Sequence, residues 1–269
     1  MPLPSFLILG AAKAGTTALY HQLRQHPDVF LSPVKEPSFF AYDGWPVETA
    51  GPGDAESARF LVTDLAAYRS HWHGHREESA LGDASPVYLY SPSAPASIAR
   101  HVPDARMIAI LRDPAERAFS HYLHMRRDGR EPEDDFERAL DIEAERIAAG
   151  WSWSWHYVQV GFYGLQVERY LDRFDPRQMR IYLYEDLRRD PRGLIRDVLG
   201  FLGVDPGFEP DVSARPNVSG LPRWPAFDRL LRRLLNRPVL VKELGPAIPK
   251  AAWLRATRSG TAGAGTYVS

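Results

Sequence analysis

The chain has 269 residues, 44% of them apolar, and a formal net charge of −1. This length and composition suit one large or two small globular domains with a sizeable core. A charge so close to zero argues against a protein that recruits nucleic acid or a membrane surface through a field of one sign. Any anion that the protein binds is therefore expected at a local site.

The sequence contains no cysteine, which excludes disulfides, thiol nucleophiles and thiolate metal sites. It has no apolar run long enough to cross a bilayer, and its first ten residues lack the basic leader of a secretion signal. We therefore expect a cytoplasmic protein without a membrane span. Lysine is scarce, since only four of the 33 basic residues are lysines: Lys13, Lys35, Lys242 and Lys250.

Apolar runs of strand length alternate with stretches of helical periodicity along the first half of the chain. The predicted elements are, in chain order, a strand at 6–9, a helix at 16–25, a strand at 29–31, a helix at 56–72, and strands at 81–83 and 107–111. Leu19 and Leu23 are four residues apart and share one face of the predicted first helix.

The same alternation continues in the second half. The predicted elements are a helix from Pro114 to about Arg126, a helix at 133–149, a helix at 163–174, a strand at 180–184, and a helix at 191–202 closed by Gly203. Such alternation predicts the α/β class, with a single domain built on a central parallel sheet flanked by helices. We expect that domain to span residues 1–257, with the glycine-rich end at 258–269 as a flexible tail.

A glycine-rich loop, Gly10-Ala-Ala-Lys-Ala-Gly-Thr-Thr17, joins the first strand to the first helix. Backbone N–H groups and the helix dipole at such a junction form an anion cradle, which predicts a P-loop-like phosphate site. The glycines are spaced as in G-x-x-x-x-G-K-[ST], but Thr16 takes the lysine position and the lysine lies inside the loop, at Lys13. The alternative is an ordinary strand-to-helix turn with a solvated lysine.

A second polar cluster follows the strand at 107–111. Arg112 leaves the carboxyl end of that strand, and Ser120 lies about two turns into the next helix. A guanidinium fork and a hydroxyl suit a phosphate monoester. A cation at this strand end fits a second anion better than Mg²⁺, which disfavours a P-loop nucleotide kinase as the alternative function. The alternative is that Arg112 pairs with a local carboxylate such as Asp113 or Glu116 and that Ser120 is an ordinary surface residue.

Together, Lys13-Ala-Gly-Thr-Thr17 and Leu111-Arg-Asp-Pro114 with Ser120 resemble the sulfotransferases that use 3′-phosphoadenosine 5′-phosphosulfate (PAPS). The nearest group is the heparan-sulfate-type branch of N- and O-sulfotransferases, with its bacterial relatives. The resemblance covers about residues 4–220. It also includes Pro33-Val-Lys-Glu-Pro-Ser-Phe-Phe40, the turn Gly82-Asp-Ala-Ser-Pro-Val-Tyr88, which is similar to a substrate-side turn, and the stretch 163–203.

The resemblance implies a role for each matching residue. The loop residues that would hold the 5′-phosphosulfate are Lys13, Ala14, Gly15, Thr16 and Thr17. In that assignment Lys13 stabilises the leaving phosphate, while Arg112 and Ser120 grip the 3′-phosphate. Glu36 would be the catalytic base that takes the acceptor proton. The alternative for Glu36 is a surface carboxylate paired with Lys35.

The implied activity is transfer of a sulfuryl group from PAPS to a hydroxyl or amine, with no metal. The loop that closes over the nucleotide in many family members is missing, and Arg215-Pro-Asn-Val-Ser219 is the candidate replacement, with Asn217 as a nucleotide ligand. No motif identifies the acceptor, so a carbohydrate, a lipid head group and a small metabolite all stay open.

Two further segments have more than one interpretation. The three indoles of Trp151-Ser-Trp-Ser-Trp155 suit core packing and the wall of an acceptor pocket equally. If that wall holds a partner instead, the protein is a non-catalytic nucleotide-binding module. His71-Trp-His-Gly-His75 lacks a recurring acidic or cysteine partner, so we expect a solvated loop rather than a metal site.

Overall fold

The computed structural model describes residues 2–45, 47 and 49–212. These residues form two compact units that interleave along the chain. The first contains residues 2–45, 47, 56–112 and 163–212, and the second contains residues 49–55 and 113–162. The expected domain limit at 257 and the expected tail at 258–269 lie outside the described residues and stay predictions.

The first unit contains a five-stranded parallel sheet. Its strands are β1 (Phe6–Gly10), β2 (Val29–Leu31), β3 (Ala80–Ala84), β4 (Arg106–Leu111) and β5 (Met179–Leu183). Their order is β2-β3-β1-β4-β5, and every neighbouring pair is parallel. Helices flank the sheet, so the predicted fold class is confirmed. Because the strands are parallel, all their carboxyl ends lie along one edge of the sheet.

Twelve α-helices occur in the described residues. They are α1 (Thr16–Leu23), α2 (Phe39–Tyr42), α3 (Asp54–Ala58), α4 (Leu65–Ser70), α5 (Val87–Tyr90), α6 (Ala94–His101), α7 (Pro114–Arg127), α8 (Phe136–Asp141), α9 (Glu143–Ala148), α10 (Tyr163–Leu171), α11 (Tyr184–Arg189) and α12 (Pro191–Leu202). Short 3₁₀ turns cover Trp153–Trp155, Gln159–Gly161 and Pro176–Gln178. In this part of the chain no helix is long and apolar enough to span a bilayer.

The central strand β1 is apolar on both faces. All five residues of Phe6–Gly10 are buried, as expected for a strand that has helices on both sides. Gly82 of β3 pairs with Phe6 of β1 and with Leu31 of β2. A Cβ at Gly82 would lie 2.2 Å from Cζ of Phe6 and 2.7 Å from Cδ2 of Leu31. The glycine therefore makes room for the two neighbouring side chains.

The single helix predicted at 56–72 is wrong, because the structure has the two short helices α3 and α4 there. The break has a local cause. Asp64 caps α4 by accepting a hydrogen bond from the Ala67 amide at 2.8 Å, and a cap residue has non-helical backbone. The Val62 amide donates to the Pro37 carbonyl at 2.9 Å, which draws the preceding residues away from a helical path.

The helix predicted at 133–149 is also divided, into α8 and α9. Asp135 caps α8 through the amides of Glu137 and Arg138, so residues 133 and 134 lie before the helix. Ile142 ends α8 and precedes α9. Both helices belong to the second unit.

The second unit has its own core, which contains a buried ion pair. Glu131 accepts two hydrogen bonds of 2.7 Å from the Arg146 guanidinium and one of 2.7 Å from the Tyr157 hydroxyl. Trp155 is fully buried, and its Nε1 donates to Asp54 at 3.1 Å. Trp151 packs edge-on against Trp155 at a ring distance of 4.7 Å. For Trp155, the structure therefore decides between the two interpretations in favour of core packing.

Candidate functional site

The glycine loop leads directly from the central strand β1 into α1. Gly15 is the N-cap residue of α1, with φ 94° and ψ 8°, a left-handed conformation that favours glycine. No side chain caps this helix end, and its first turn contains no acidic residue. The helix N-terminus therefore keeps the partial positive charge that attracts an anion.

Within the loop, two amides already have backbone partners. The Ala11 amide donates to the Ile110 carbonyl at 2.7 Å, and the Ala14 amide donates to the Ala11 carbonyl at 3.1 Å. These bonds fix the shape of the loop. The second bond occupies the Ala14 N–H, and the binding role expected for Ala14 stays a prediction.

Arg112 lies against this loop. Its Nη1 donates to the carbonyl oxygen of Lys13 at 3.2 Å, so the structure places the Arg112 guanidinium against the backbone of the glycine loop, where β1 and β4 end. Its guanidinium carbon lies 4.7 Å from the ring centroid of Tyr184, and its own carbonyl accepts a 3.1 Å bond from the Tyr163 hydroxyl. A guanidinium has five N–H donors, and the bond to Lys13 uses one of them.

Tyr184 is a contact residue that the sequence reasoning missed. It is the first residue after β5, and it borders both Arg112 and the loop, since a Cβ on Gly15 would lie 3.3 Å from its Cδ2. The neighbouring Leu187 would lie 2.7 Å from the same Cβ. A signal was available in the strand-to-helix transition at 183–184, but the sequence does not show that β5 lies beside β4.

Three described non-glycine residues have positive φ angles: Lys13 at 68°, Glu36 at 61° and Ser38 at 62°. Left-handed backbone costs a non-glycine residue about 1–3 kcal/mol and is concentrated at functional sites. Lys13 and Glu36 are the two residues for which the sequence predicts a catalytic role. The strained backbone therefore occurs at the residues predicted to be catalytic, and this observation does not depend on any sequence motif.

Glu36 lies in the segment that follows β2. Its carboxylate forms an ion pair with Lys35, the contact expected of an ordinary surface carboxylate, and its side chain is 42% exposed. Its backbone is held from within the segment, because the Ser38 hydroxyl donates to the Glu36 carbonyl at 3.0 Å. An ordinary surface carboxylate would not require the left-handed backbone that Glu36 has.

The remaining predicted site residues occupy separate positions. Thr16 is buried and Thr17 is half-buried in the first turn of α1. Ser120 belongs to the second unit, where it is a buried polar residue of α7. Asp113 caps that helix by accepting from the Glu116 amide at 2.9 Å. Asn217 lies outside the described residues.

No group of three or more His, Asp or Glu side chains in the described residues is arranged to hold a metal ion. His75 Nδ1 lies 2.8 Å from the Trp72 carbonyl, and His71 Nδ1 lies 3.4 Å from the Ser32 hydroxyl. These two histidines of the alternating motif have neighbours within the protein.

A family model described as "Sulfotransferase family" matches residues 4–210, which is most of the chain. The chain belongs to the sulfotransferase family. The predicted family is confirmed, and the protein is accordingly a transferase enzyme.

Curated relatives place this sulfotransferase beside enzymes named for heparan sulfate. It is 29% identical over 221 residues to bifunctional heparan sulfate N-deacetylase/N-sulfotransferase 4 of Mus musculus, a match covering 77% of this chain and 23% of the relative. It is 31% identical over 204 residues to heparan sulfate glucosamine 3-O-sulfotransferase 3B1 of Homo sapiens, covering 75% and 46%. The chain thus spans less than half the length of these relatives.

Solved structures share the fold of this sulfotransferase. A crystal structure of a sulfotransferase from Alicyclobacillus acidocaldarius is 37% identical, with a TM-score of 0.76, and the match covers 95% of this chain and 100% of that one. The sulfotransferase domain from the curacin biosynthetic pathway is 17% identical with a TM-score of 0.52, covering 97% and 99%, and it shows the fold alone.

Proposed function

We propose that this sulfotransferase moves the sulfuryl group of PAPS to a hydroxyl or amine of an acceptor. The contact between Arg112 and the carbonyl of Lys13 carries the proposal, because it joins the two predicted anion-binding elements at one edge of the sheet. PAPS is a donor with two separated anionic ends. A protein of net charge −1 needs local cations to hold both of them.

The groups present fit the 5′-phosphosulfate end. Lys13 supplies a positive charge, the uncapped start of α1 supplies amide donors, and Thr16 and Thr17 supply hydroxyls. Gly15 keeps the loop close to α11, since a side chain there would meet Leu187. This donor set combines the Lys13 cation in the loop with the N–H groups at the start of α1, and the first turn of α1 contains no acidic side chain, which suits an anion.

For the 3′-phosphate end we propose Arg112 and Ser120, with Asn217 as a further ligand. The Arg112 guanidinium is already oriented by the Lys13 carbonyl and the Tyr184 ring, which lowers the entropy lost when an anion binds. A lysine in this position would not reproduce that arrangement, because an ammonium lacks the planar fork.

In the proposed reaction Lys13 and Glu36 have different roles. As the bond from sulfur to the bridging oxygen breaks, Lys13 neutralises the negative charge that develops on the leaving phosphate. The new bond joins sulfur to the acceptor oxygen or nitrogen, and Glu36 accepts the proton that the acceptor loses. An in-line displacement of this kind depends on positioning and charge stabilisation. We propose that these side chains supply both.

The names of the curated relatives favour a saccharide as the acceptor. A lipid head group and a small metabolite are the classes to test next. The cytoplasmic location expected from the sequence stays a prediction.

The test is incubation of the protein with ³⁵S-labelled PAPS and a panel of oligosaccharide, lipid and small-molecule acceptors, followed by mass spectrometry. We expect an acceptor that gains one sulfate together with release of the 3′,5′-bisphosphate product, and no transfer by Lys13→Ala. ATP turnover with Mg²⁺ and no use of PAPS would establish the kinase alternative instead. Binding of the bisphosphate without transfer to any acceptor would favour the non-catalytic nucleotide-binding module.

A further inference from the structure

A buried carboxylate, Asp83, lies at the carboxyl end of β3. It is fully enclosed and accepts three side-chain hydrogen bonds: from the Tyr68 hydroxyl at 2.7 Å, the Tyr88 hydroxyl at 2.6 Å and the Ser85 hydroxyl at 2.8 Å. An ionised carboxylate only accepts hydrogen bonds, so it draws the single hydrogen of each hydroxyl toward itself. Ser85 and Tyr88 are buried as well, so these members of the predicted substrate-side turn point into the core.

Two of these hydroxyls also bind the backbone of the segment that carries Glu36. The Ser38 amide donates to Ser85 Oγ at 3.0 Å, and the Phe40 amide donates to Tyr88 Oη at 3.4 Å. Each hydroxyl can accept these amides because its own hydrogen is given to Asp83. Asp83 thereby fixes the direction of both hydrogen-bonded chains.

The segment needs such support because its backbone is strained. Glu36 and Ser38 both have left-handed φ angles, and Ser38 is the N-cap residue of the short helix α2. Strained backbone persists only where the surroundings over-determine it. Burial raises the pKa of Asp83, and the negative charge of Glu36 adds a smaller effect in the same direction.

We propose that Asp83 is a positioning residue, which orients Ser85 and Tyr88 so that they hold residues 36–40 and thus the carboxylate of Glu36. The inference rests on the proposed function only for the role of Glu36 as base. The hydrogen-bonded connection itself is independent of that role.

Tyr68 provides the matched control. It donates to the same carboxylate oxygen as Tyr88, from α4, but among the described residues its hydroxyl makes no hydrogen bond to residues 36–40. Its ring stacks on Phe39 at 4.5 Å, and Tyr68→Phe keeps that contact. Ser85→Ala and Tyr68→Phe each delete one buried hydrogen bond to Asp83, and only Ser85→Ala also deletes the partner of the Ser38 amide.

The first readout is hydrogen–deuterium exchange of the peptide that contains residues 33–40, which does not depend on any activity. We expect exchange at the Ser38 amide to rise at least tenfold in Ser85→Ala and to stay within twofold of wild type in Tyr68→Phe. Unchanged exchange in Ser85→Ala, or an equal rise in both variants, would overturn the proposed connection.

The second readout is steady-state kinetics with PAPS. Ser85→Ala and Asp83→Asn should lower kcat at least tenfold and leave KM for PAPS within about twofold, while Tyr68→Phe keeps both values. An unchanged kcat in Ser85→Ala, or losses of kcat that follow the fall in Tm in all three variants, would contradict a positioning role. Lack of PAPS turnover by the wild type would instead count against the proposed function, and the exchange result would stand apart from it.

Discussion

The guanidinium of Arg112 donates a 3.2 Å hydrogen bond to the carbonyl oxygen of Lys13, although 99 positions separate the two residues in the sequence. Neighbouring parallel strands make this possible, since Lys13 follows β1 and Arg112 follows β4. Arg112 supports the loop that we propose to hold one end of the donor, and we propose that its guanidinium also binds the other end.

Replacing Arg112 by lysine should weaken donor binding without unfolding the protein. Lysine keeps the charge but lacks the fork that bonds the Lys13 carbonyl and stacks on Tyr184. Loss of one charged hydrogen bond costs about 1.5–3 kcal/mol, so we expect Kd for the 3′,5′-bisphosphate nucleotide to rise roughly 10- to 100-fold. Calorimetric titration measures this. Arg177→Lys is the control, since Arg177 is exposed and pairs with Asp175. Equal Kd values for Arg112→Lys and wild type would contradict the assignment.

Replacing Glu36 by glutamine should stop turnover and spare binding. The amide keeps the size of the side chain but cannot take the acceptor proton, and general-base catalysis contributes about 10²–10⁴-fold. We expect kcat to fall by that factor while the nucleotide Kd stays within twofold, as measured by kinetics and titration. Glu56→Gln, at an exposed position of α3, should behave as wild type. Near-normal turnover by Glu36→Gln would remove Glu36 from the mechanism.

Replacing Gly82 by alanine should destabilise the fold. The new Cβ would lie 2.2 Å from Cζ of the fully buried Phe6, so the ring would have to move within a packed core. Overpacking of this kind costs about 1–3 kcal/mol. Gly200→Ala is the matched control, because Gly200 is in α12 with open space around it, and alanine there should stabilise the helix by up to about 1 kcal/mol. Denaturant unfolding gives the free energy of unfolding of both variants. A Gly82→Ala variant as stable as wild type would show that the sheet relaxes around the new Cβ.

The pH dependence of stability should report on Asp83. Burial raises its pKa from 3.8 to about 6, against the opposing effect of its hydroxyl donors. The folded state thus holds the proton more tightly than the unfolded chain, so this group makes folding less favourable as pH rises from about 4 to about 6. A shift of about two units corresponds to ~3 kcal/mol.

Asp83→Asn does not titrate, so the comparison isolates this effect. Relative to wild type, the variant should gain about 3 kcal/mol in free energy of unfolding between about pH 3 and pH 7, with most of the change below about pH 6. Urea unfolding of both proteins at several pH values measures it. A difference between them that is constant over this range would show that Asp83 has an ordinary pKa.

The sequence was sufficient to predict the strands of the parallel sheet and the glycine loop at its carboxyl edge. The apolar runs at 6–9 and 107–111 became β1 and β4, and the glycine loop after the first of them leads into α1 as expected. These features are local, since a buried strand and a strand-to-helix turn each have a pattern of their own.

Other features depend on contacts that a sequence does not show. The strand order places Tyr184 beside Arg112, and the interior position of Asp83 follows from Tyr68 and Tyr88 closing over it. The prediction of one helix at 56–72 was wrong because Asp64 caps α4, and its capping bond competes with a helix that continues through this residue. The left-handed backbone of Glu36 follows from no residue preference, because glutamate does not favour it.

The most direct measurement of the central claim is a calorimetric comparison of two ligands, adenosine 3′,5′-bisphosphate and adenosine 5′-monophosphate, on wild type, Lys13→Ala and Ser120→Ala. We predict that the wild type prefers the bisphosphate by roughly 10- to 100-fold, the worth of one or two charged hydrogen bonds. Lys13→Ala should weaken both ligands alike, and Ser120→Ala should reduce only the preference. Equal affinity of the wild type for the two nucleotides, or no binding of the bisphosphate, would contradict a donor site that holds both anionic ends.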